Sequence, residues 1–365
     1  MNILLYSSFN ERSICLESTA LYFKKTYTIK LLTIVEKGEI HAYLNEKGVE
    51  CFSSKDNSKG NKHLNEIQFL KRFIKTHKID IVHAHLQLPS FYASVLHLSF
   101  KFKLLTVRHN SDVIYLQGNK KEILIEKIIN RLSPKIIAIS DVVSEQLINK
   151  EKVNPKKVIR INNGYDFDKL QELTNKSHYS ELKKQYQDKF IVLMPGRFIE
   201  TKRHEIAIQL INSLKHKIPE IHLVLIGEGP YKTKVMQLIE TLDLSNYISV
   251  LSFTTYIVDH YKLSNAIIQP SISEASNNVI KEALVFDKPV FACNEVGDFD
   301  SYLDEGLLLQ KQKPLSNLED KIYKLYTAST YFESAVQLSK QNMLALFSMK
   351  NVGEKYDVLH ENLKE

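Results

Sequence analysis

The sequence predicts an α/β protein built from two doubly wound parallel domains, and three observations carry the prediction. Short apolar runs of strand length alternate with amphipathic helical stretches along nearly the whole chain. The alternation restarts in the second half at Phe190. A polar stretch rich in Lys, Glu, Gln and Ser, from about Asp166 to Lys189, separates the two runs. The length, 365 residues, suits two domains at roughly 100–200 residues each.

In order along the first half, the strand candidates are Ile3–Tyr6, Ile29–Ile34, Ile79–His83, Leu104–Arg108, Ile136–Ile139 and Val158–Ile161. Helical spacing lies between them, as in Leu64, Ile67, Phe69, Leu70, Phe73 and Ile74. The second half offers Phe190–Met194, Ile221–Ile226, Ile248–Leu251, Ala266–Gln269, Pro289–Cys293 and Leu307–Leu309. Asp166–Lys189 reads as a linker with a surface helix. The expected domains are residues 1–165, 166–345 and a C-terminal helical segment, 346–365, that crosses back to the first. Ligands of such sheets bind beyond the carboxyl ends of the strands, so chemistry is sought there.

Composition narrows the function classes. Hydrophobic residues make up 44% and charged residues 25%, which excludes a disordered or fibrous chain. No apolar run approaches the ~18 residues of a membrane helix. Met1–Tyr6 passes at once into Ser7–Arg12, too short an apolar start for a secretory signal. Cys15, Cys51 and Cys293 are far apart and fit a reducing compartment. Residues 1–170 hold 27 Lys and Arg against 17 Asp and Glu, whereas the remainder holds 22 against 25. That excess reads either as a basic face for an anionic membrane or phosphorylated lipid, or as lysine decoration of solvated helices. Phe100–Lys103 has the same two readings, a membrane contact or a helix-to-strand connection.

Two segments carry the chemistry. In Gln269–Pro289 a strand ends near Pro270, a small polar loop follows, and a helix begins near Asn277. Such a helix start offers backbone N–H groups and a positive dipole end to an anion. Glu274 falls in the loop; Glu282, eight residues on, lies about two turns into the helix on the face of Asn278. This arrangement suits a diphosphate at the helix start and a ribose diol on the carboxylate, and equally a capped amphipathic helix with two exposed glutamates. The second segment, Met194–Lys202, leaves a strand with Gly196 to turn it, and with Arg197 and Lys202 as a guanidinium fork and a point charge suited to phosphate. It also reads as an ordinary basic loop.

Together and in this order, the two segments resemble the retaining glycosyltransferases of family 4, of the group 1 type and GT-B fold. Asp80–His85 is similar to the family's "DIVH-H" strand, and Thr106–His109 to its "T-x-H" strand end. Ile136–Ser140 and Asn163–Asp166 match two further landmarks, and Leu225–Pro230 resembles "VG-x-GP". Glu274 and Glu282 occupy the Glu-x7-Glu pattern, followed by Ala283 and Lys288–Pro289–Val290.

The resemblance implies two Rossmann-like domains facing a central cleft, the first for the acceptor and the second for the nucleotide sugar. It implies a hexosyltransferase acting with retention, with no metal and no cofactor beyond its donor. Arg197 and Lys202 would grip the donor diphosphate, the Asn278–Val279 backbone would meet its phosphates, and Glu282 would bind the ribose. Glu274 would lie near the transferred sugar, and His109 would face sugar and acceptor from the first domain. The expected partners are a UDP- or GDP-linked sugar and a glycan or lipid-linked acceptor, with peripheral contact to an anionic inner membrane and no nucleic acid. The expected setting is cytoplasmic synthesis of bacterial surface polysaccharide: lipopolysaccharide, O-antigen or capsule. A nucleotide-sugar epimerase of the same fold and a catalytically silent binding subunit are the competing readings.

Three departures from the family pattern stand out. Glu274–Ala275–Ser276–Asn277–Asn278 replaces a glycine-bearing "E-G-F-G" run. Ser8–Arg12 stands where a glycine-rich loop is usual, and Gly297–Asp300 replaces "GG-x-P-E". Asp166–Phe167–Asp168 and Asp298–Phe299–Asp300 spell the D-x-D metal motif of another fold, one at a domain junction and one in a late loop. His83 and His85 share a strand face without a carboxylate or cysteine to complete a metal set, so hydrogen-bonded core histidines are expected.

Overall fold

The computed structural model describes residues 1–55, 62–254 and 256–363. The chain divides into two compact units, Met1–Asp166 with Phe347–Glu365, and Phe167–Leu346. In the C-terminal segment, residues 364–365 lie outside the described residues.

Among the described residues, the first unit carries β1 (Asn2–Ser7), β2 (Thr28–Thr33), β3 (Glu50–Ser53), β4 (Ile81–His85), β5 (Lys103–Arg108), β6 (Lys135–Ala138) and β7 (Val158–Arg160). All pair in parallel, in the order β3-β2-β1-β4-β5-β6-β7. Leu4, Tyr6, Leu32, Val82 and Ala84 pack on Leu70, Phe73 and Ile74 of the helix Lys62–Thr76. The spacing of those helix residues puts them on one face, which the sheet covers.

The second unit carries β8 (Phe190–Pro195), β9 (Ile221–Ile226), β10 (Ile248–Leu251), β11 (Ala266–Gln269), β12 (Val290–Cys293) and β13 (Leu308–Leu309). Their order is β10-β9-β8-β11-β12-β13, again parallel. β9 is buried along all six residues, as a parallel strand covered on both faces must be. In each unit the strand order reverses once, between β1 and β4 and between β8 and β11. Crevices for ligands open at the carboxyl side of such reversals.

Beyond shifts of one residue at strand ends, the structure differs from the sequence reading most at β4, β3 and the connector. β4 begins at Ile81, two residues late, because Lys78 takes a left-handed conformation and the Ile79 N–H closes the preceding helix on Ile74. β3 is an edge strand, too short and too polar for its alternation to register. The connector holds two helices, Phe167–Glu172 and Lys176–Gln185, and buries Leu170, Leu182 and Tyr186. Its second helix is fastened to the second unit by Asp259, which accepts from the Asn175 N–H at 3.2 Å and pairs with His178 at 2.9 Å.

The helix Met349–Asn362 packs on the helix Ile14–Phe23 of the first unit. Tyr22 donates to Asp357 at 2.8 Å, and Phe23 sets its ring edge-on to Tyr356 and His360.

Candidate active site

In the second unit the loops after β8 and β9 meet backbone to backbone. Gly227 has φ +153°, and a Cβ there would fall 2.1 Å from the Gly196 carbonyl oxygen. At Gly229 it would fall 2.3 Å from that of Phe198. Only glycine allows this approach. It shapes the turn that carries Arg197 and Lys202.

Lys202 Nζ lies 2.5 Å from Glu274 Oε1, with both side chains largely buried. Asn277 donates from Nδ2 to the same Glu274 oxygen at 2.9 Å and to Gln269 Oε1 at 3.1 Å. Gln269 in turn donates to the Pro195 carbonyl at 2.7 Å. The pairing of β8 with β11 brings together residues 72 positions apart. A cation, a carboxylate and a helix start thus share the carboxyl side of the strand reversal.

The helix Asn278–Val285 is capped by Asn277, whose Oδ1 accepts from the Val279 N–H at 2.8 Å. A phosphate approaching Val279 therefore has to displace that cap. Asn278 is exposed at the first turn. Glu282 is half-buried and accepts from the Tyr261 hydroxyl at 2.8 Å. Desolvation raises its carboxyl above the usual range, against the opposing pull of that hydroxyl and of Lys281.

The loop that lacks the family's glycines is braced from below. Lys281 and Asp298 are both fully buried and 3.3 Å apart. Ser276 donates to Asp298 Oδ2 at 2.6 Å, and Lys281 donates to Ser276 Oγ at 2.8 Å and to the Asn277 carbonyl at 3.1 Å. Gly297, at φ +61°, lets the chain lie against Glu274, whose Cβ is 3.1 Å from where its own would be.

Arg197 is exposed and makes no ion pair among the described residues. Its neighbour in the motif, Arg203, is turned inward: it donates to the Pro270 carbonyl at 2.6 Å and to Cys293 Sγ at 3.1 Å. Sequence reasoning missed Arg203, Asn277, Tyr261 and Lys281. Only the cap position of Asn277 left a trace in the sequence.

In the first unit His109 follows β5 and places Nε2 3.1 Å from Nδ1 of His85, the last residue of β4. Burial lowers His109 to about 4, so the ring is neutral near pH 7. Beside it Arg108 is buried between Glu126 and Glu151, pairing with the latter at 2.9 Å, and Gln87 donates to Glu126 at 2.9 Å. Gln87, Arg108 and Glu126 line a small pocket with His109, Asn110 and Asn130. His83 pairs with His360 at 2.9 Å, and both are fully buried.

Neither D-x-D sequence gathers a ligand set. Asp298 is committed to Lys281 and Ser276, and Asp300 accepts from the Glu295 N–H at 2.8 Å. Among the described residues no group of three or more His, Cys, Asp or Glu side chains is placed to hold a metal ion.

Two sequence profiles match the chain. Residues 176–342 fit glycosyl transferases group 1, and residues 41–169 fit glycosyltransferase family 4. The chain is a group 1, family 4 glycosyltransferase. An uncharacterised glycosyltransferase of Methanocaldococcus jannaschii is 26% identical over 74% of this chain and 70% of its own length. The capsular polysaccharide biosynthesis glycosyltransferase CapM of Staphylococcus aureus is 23% identical over 66% of this chain and 65% of its own. The Anabaena protein HepE, crystallised with UDP-glucose, superposes with a TM-score of 0.83 at 17% identity, covering 99% of this chain and all of its own. The fold of this glycosyltransferase is GT-B, and its relatives include enzymes of bacterial surface polysaccharide synthesis.

Proposed function

We propose that this glycosyltransferase moves a hexose from a UDP- or GDP-linked donor to a glycan or lipid-linked acceptor, with retention, during synthesis of bacterial surface polysaccharide. Lipopolysaccharide, O-antigen and capsule are the fitting products. The observation that carries the reading is the Lys202–Glu274–Asn277 cluster beside the start of the helix that bears Glu282. Breaking a sugar–phosphate bond puts positive charge on the anomeric carbon and negative charge on the diphosphate. Lys202, Arg197 and the Asn278–Val279 end of the helix stabilise that leaving group with no metal. Glu282 takes the ribose hydroxyls.

Glu274 orients the sugar rather than attacking it, since one of its oxygens already accepts from Lys202 and Asn277, which lowers its nucleophilicity. The leaving phosphate oxygen then takes the acceptor's proton on the same face of the sugar, which preserves configuration. We assign His109 the contact with sugar and acceptor that the family resemblance implies. The UDP-glucose bound to HepE and the capsular role in CapM's name support the donor and product classes. The basic first half supports an acceptor at an anionic membrane face in the cytoplasm. Among the described residues no helix is long and apolar enough to cross a membrane.

A thermal-shift screen against UDP, GDP, ADP and their sugars tests the donor, because binding to the native state raises its stability. UDP or GDP is expected to stabilise the chain, and turnover is expected to survive EDTA. NMR of the product is expected to give the donor's anomeric configuration. Isomerised nucleotide sugar from donor alone points to an epimerase. Equal, weak nucleotide binding by wild type and Glu282→Ala, without turnover, points to a silent subunit.

A further inference from the structure

β4 and β5 pair in register from Ile81–Lys103 to His85–Val107, which sets His85 beside the residue that follows β5. That residue is His109, and the two rings stand 5.4 Å apart with His85 Nδ1 and His109 Nε2 in hydrogen-bond contact at 3.1 Å. Both rings are neutral, because burial lowers His85 well below the histidine range and His109 to about 4. A single proton therefore serves the two facing nitrogens, and which ring owns it decides what His109 offers a substrate.

His85 is 7% exposed, and its Nε2 has no hydrogen-bond partner among the described residues. A proton on that nitrogen would leave an N–H orphaned in the interior, the rarer way to leave a buried polar atom unmatched. On that ground the shared proton is assigned to His85 Nδ1, pointing at His109 Nε2, with His109's own proton on Nδ1. The mounting is stiff. Leu86, the next residue, has φ 70° and ψ 170°, a region almost reserved for glycine that persists only where surrounding packing enforces it.

We propose that His85 is a positioning residue that locks His109 in its Nδ1–H tautomer, making His109 a hydrogen-bond donor to a sugar or acceptor hydroxyl and not the base of the transfer. The donor role rests on the proposed placement of His109 at the reacting sugar; the tautomer does not.

Long-range proton–nitrogen NMR of the full wild-type chain reads the tautomer, with His109 assigned by the signals lost in His109→Gln. Nδ1–H is expected at both His85 and His109, and Nε2–H at His109 overturns the proposal. Kinetics give a second readout with UDP-glucose hydrolysis as the assay. His85→Asn keeps a donor near the Nδ1 position, whereas the isosteric His85→Leu has none. The Asn variant is expected within about threefold of wild-type kcat, and the Leu variant about tenfold lower at little-changed KM. Equal kcat in the two variants overturns the positioning role. Wild-type turnover in His109→Gln overturns the donor role and the placement it rests on, even with the tautomer as expected. The tautomer is read on the wild type, so it decides the matter even if the Leu variant does not fold.

Discussion

Glu282, the residue proposed to take the ribose, is also a stability element of the fold. Its carboxyl is raised by desolvation, so the folded chain favours the protonated form more than the unfolded chain does, while the Tyr261 hydroxyl donates to the ionised form. A raised carboxyl contributes stability below its unfolded value, about 4.3, and loses it as pH rises through the folded value. Glu282→Gln removes that loss and keeps an oxygen for Tyr261. The variant's melting temperature relative to wild type is therefore expected to rise between about pH 4 and about pH 7. On the proposed ribose contact, UDP should reverse the order, because a carboxylate accepts both ribose hydroxyls and an amide oxygen serves less well. Differential scanning fluorimetry across that range, with and without UDP, checks both signs. A flat difference without UDP would show that Glu282 is not held above its ordinary range.

At the scale of elements, the loop that follows Glu274 trades glycine freedom for a buried brace. Ala275–Asn277 is tied through Ser276 Oγ and the Asn277 carbonyl to Lys281, which is paired in turn with Asp298. Lys281→Met strands the Asp298 carboxylate in the interior, and removing one partner of a buried pair costs about 3–5 kcal/mol. The double variant Lys281→Met with Asp298→Asn is expected to recover most of that loss in denaturant unfolding, while turnover stays low because the Glu274 loop has lost its tether. Full recovery of turnover would mean that the brace serves stability alone. Little of this was legible in the sequence. The strands that read clearly, such as Ile221–Ile226 and Ile3–Tyr6, are buried on both faces and so carry unbroken apolar runs. β3, at the edge, has no such run. The position of Glu274 in a loop and of Glu282 in a helix followed from local pattern. The contacts Lys202–Glu274 and His85–His109 did not, because each depends on which strands lie side by side, and strand order is a property of the whole sheet.

At the scale of the molecule, the chain's two ends fold together. Phe347–Glu365 belongs to the same unit as Met1–Asp166, tied in by Tyr165 and Phe347 at 2.8 Å, by Met349 and the Tyr165 carbonyl at 2.8 Å, and by the histidine pair His83–His360. The seam is tight at Gly353, where an added Cβ would fall 2.2 Å from the Tyr22 ring. A larger side chain there must wedge the helix Met349–Asn362 off the helix Ile14–Phe23. Overpacking of this kind costs about 1–3 kcal/mol. The cost should fall on the first unit alone, because every contact of the seam lies within it. Gly353→Leu is therefore expected to speed hydrogen exchange in the helix Ile14–Phe23 and in β4, the strand that carries His83 and His85. Amides of β8, β9 and β11 should keep their protection, and UDP should protect the helix Asn278–Val285 to the wild-type extent. Turnover should fall nonetheless, since His85 and His109 ride on the loosened unit. If the substitution instead speeds exchange across the second sheet, the two units do not fold as separate bodies, and the assignment of the C-terminal helix to the first unit alone fails as an account of stability.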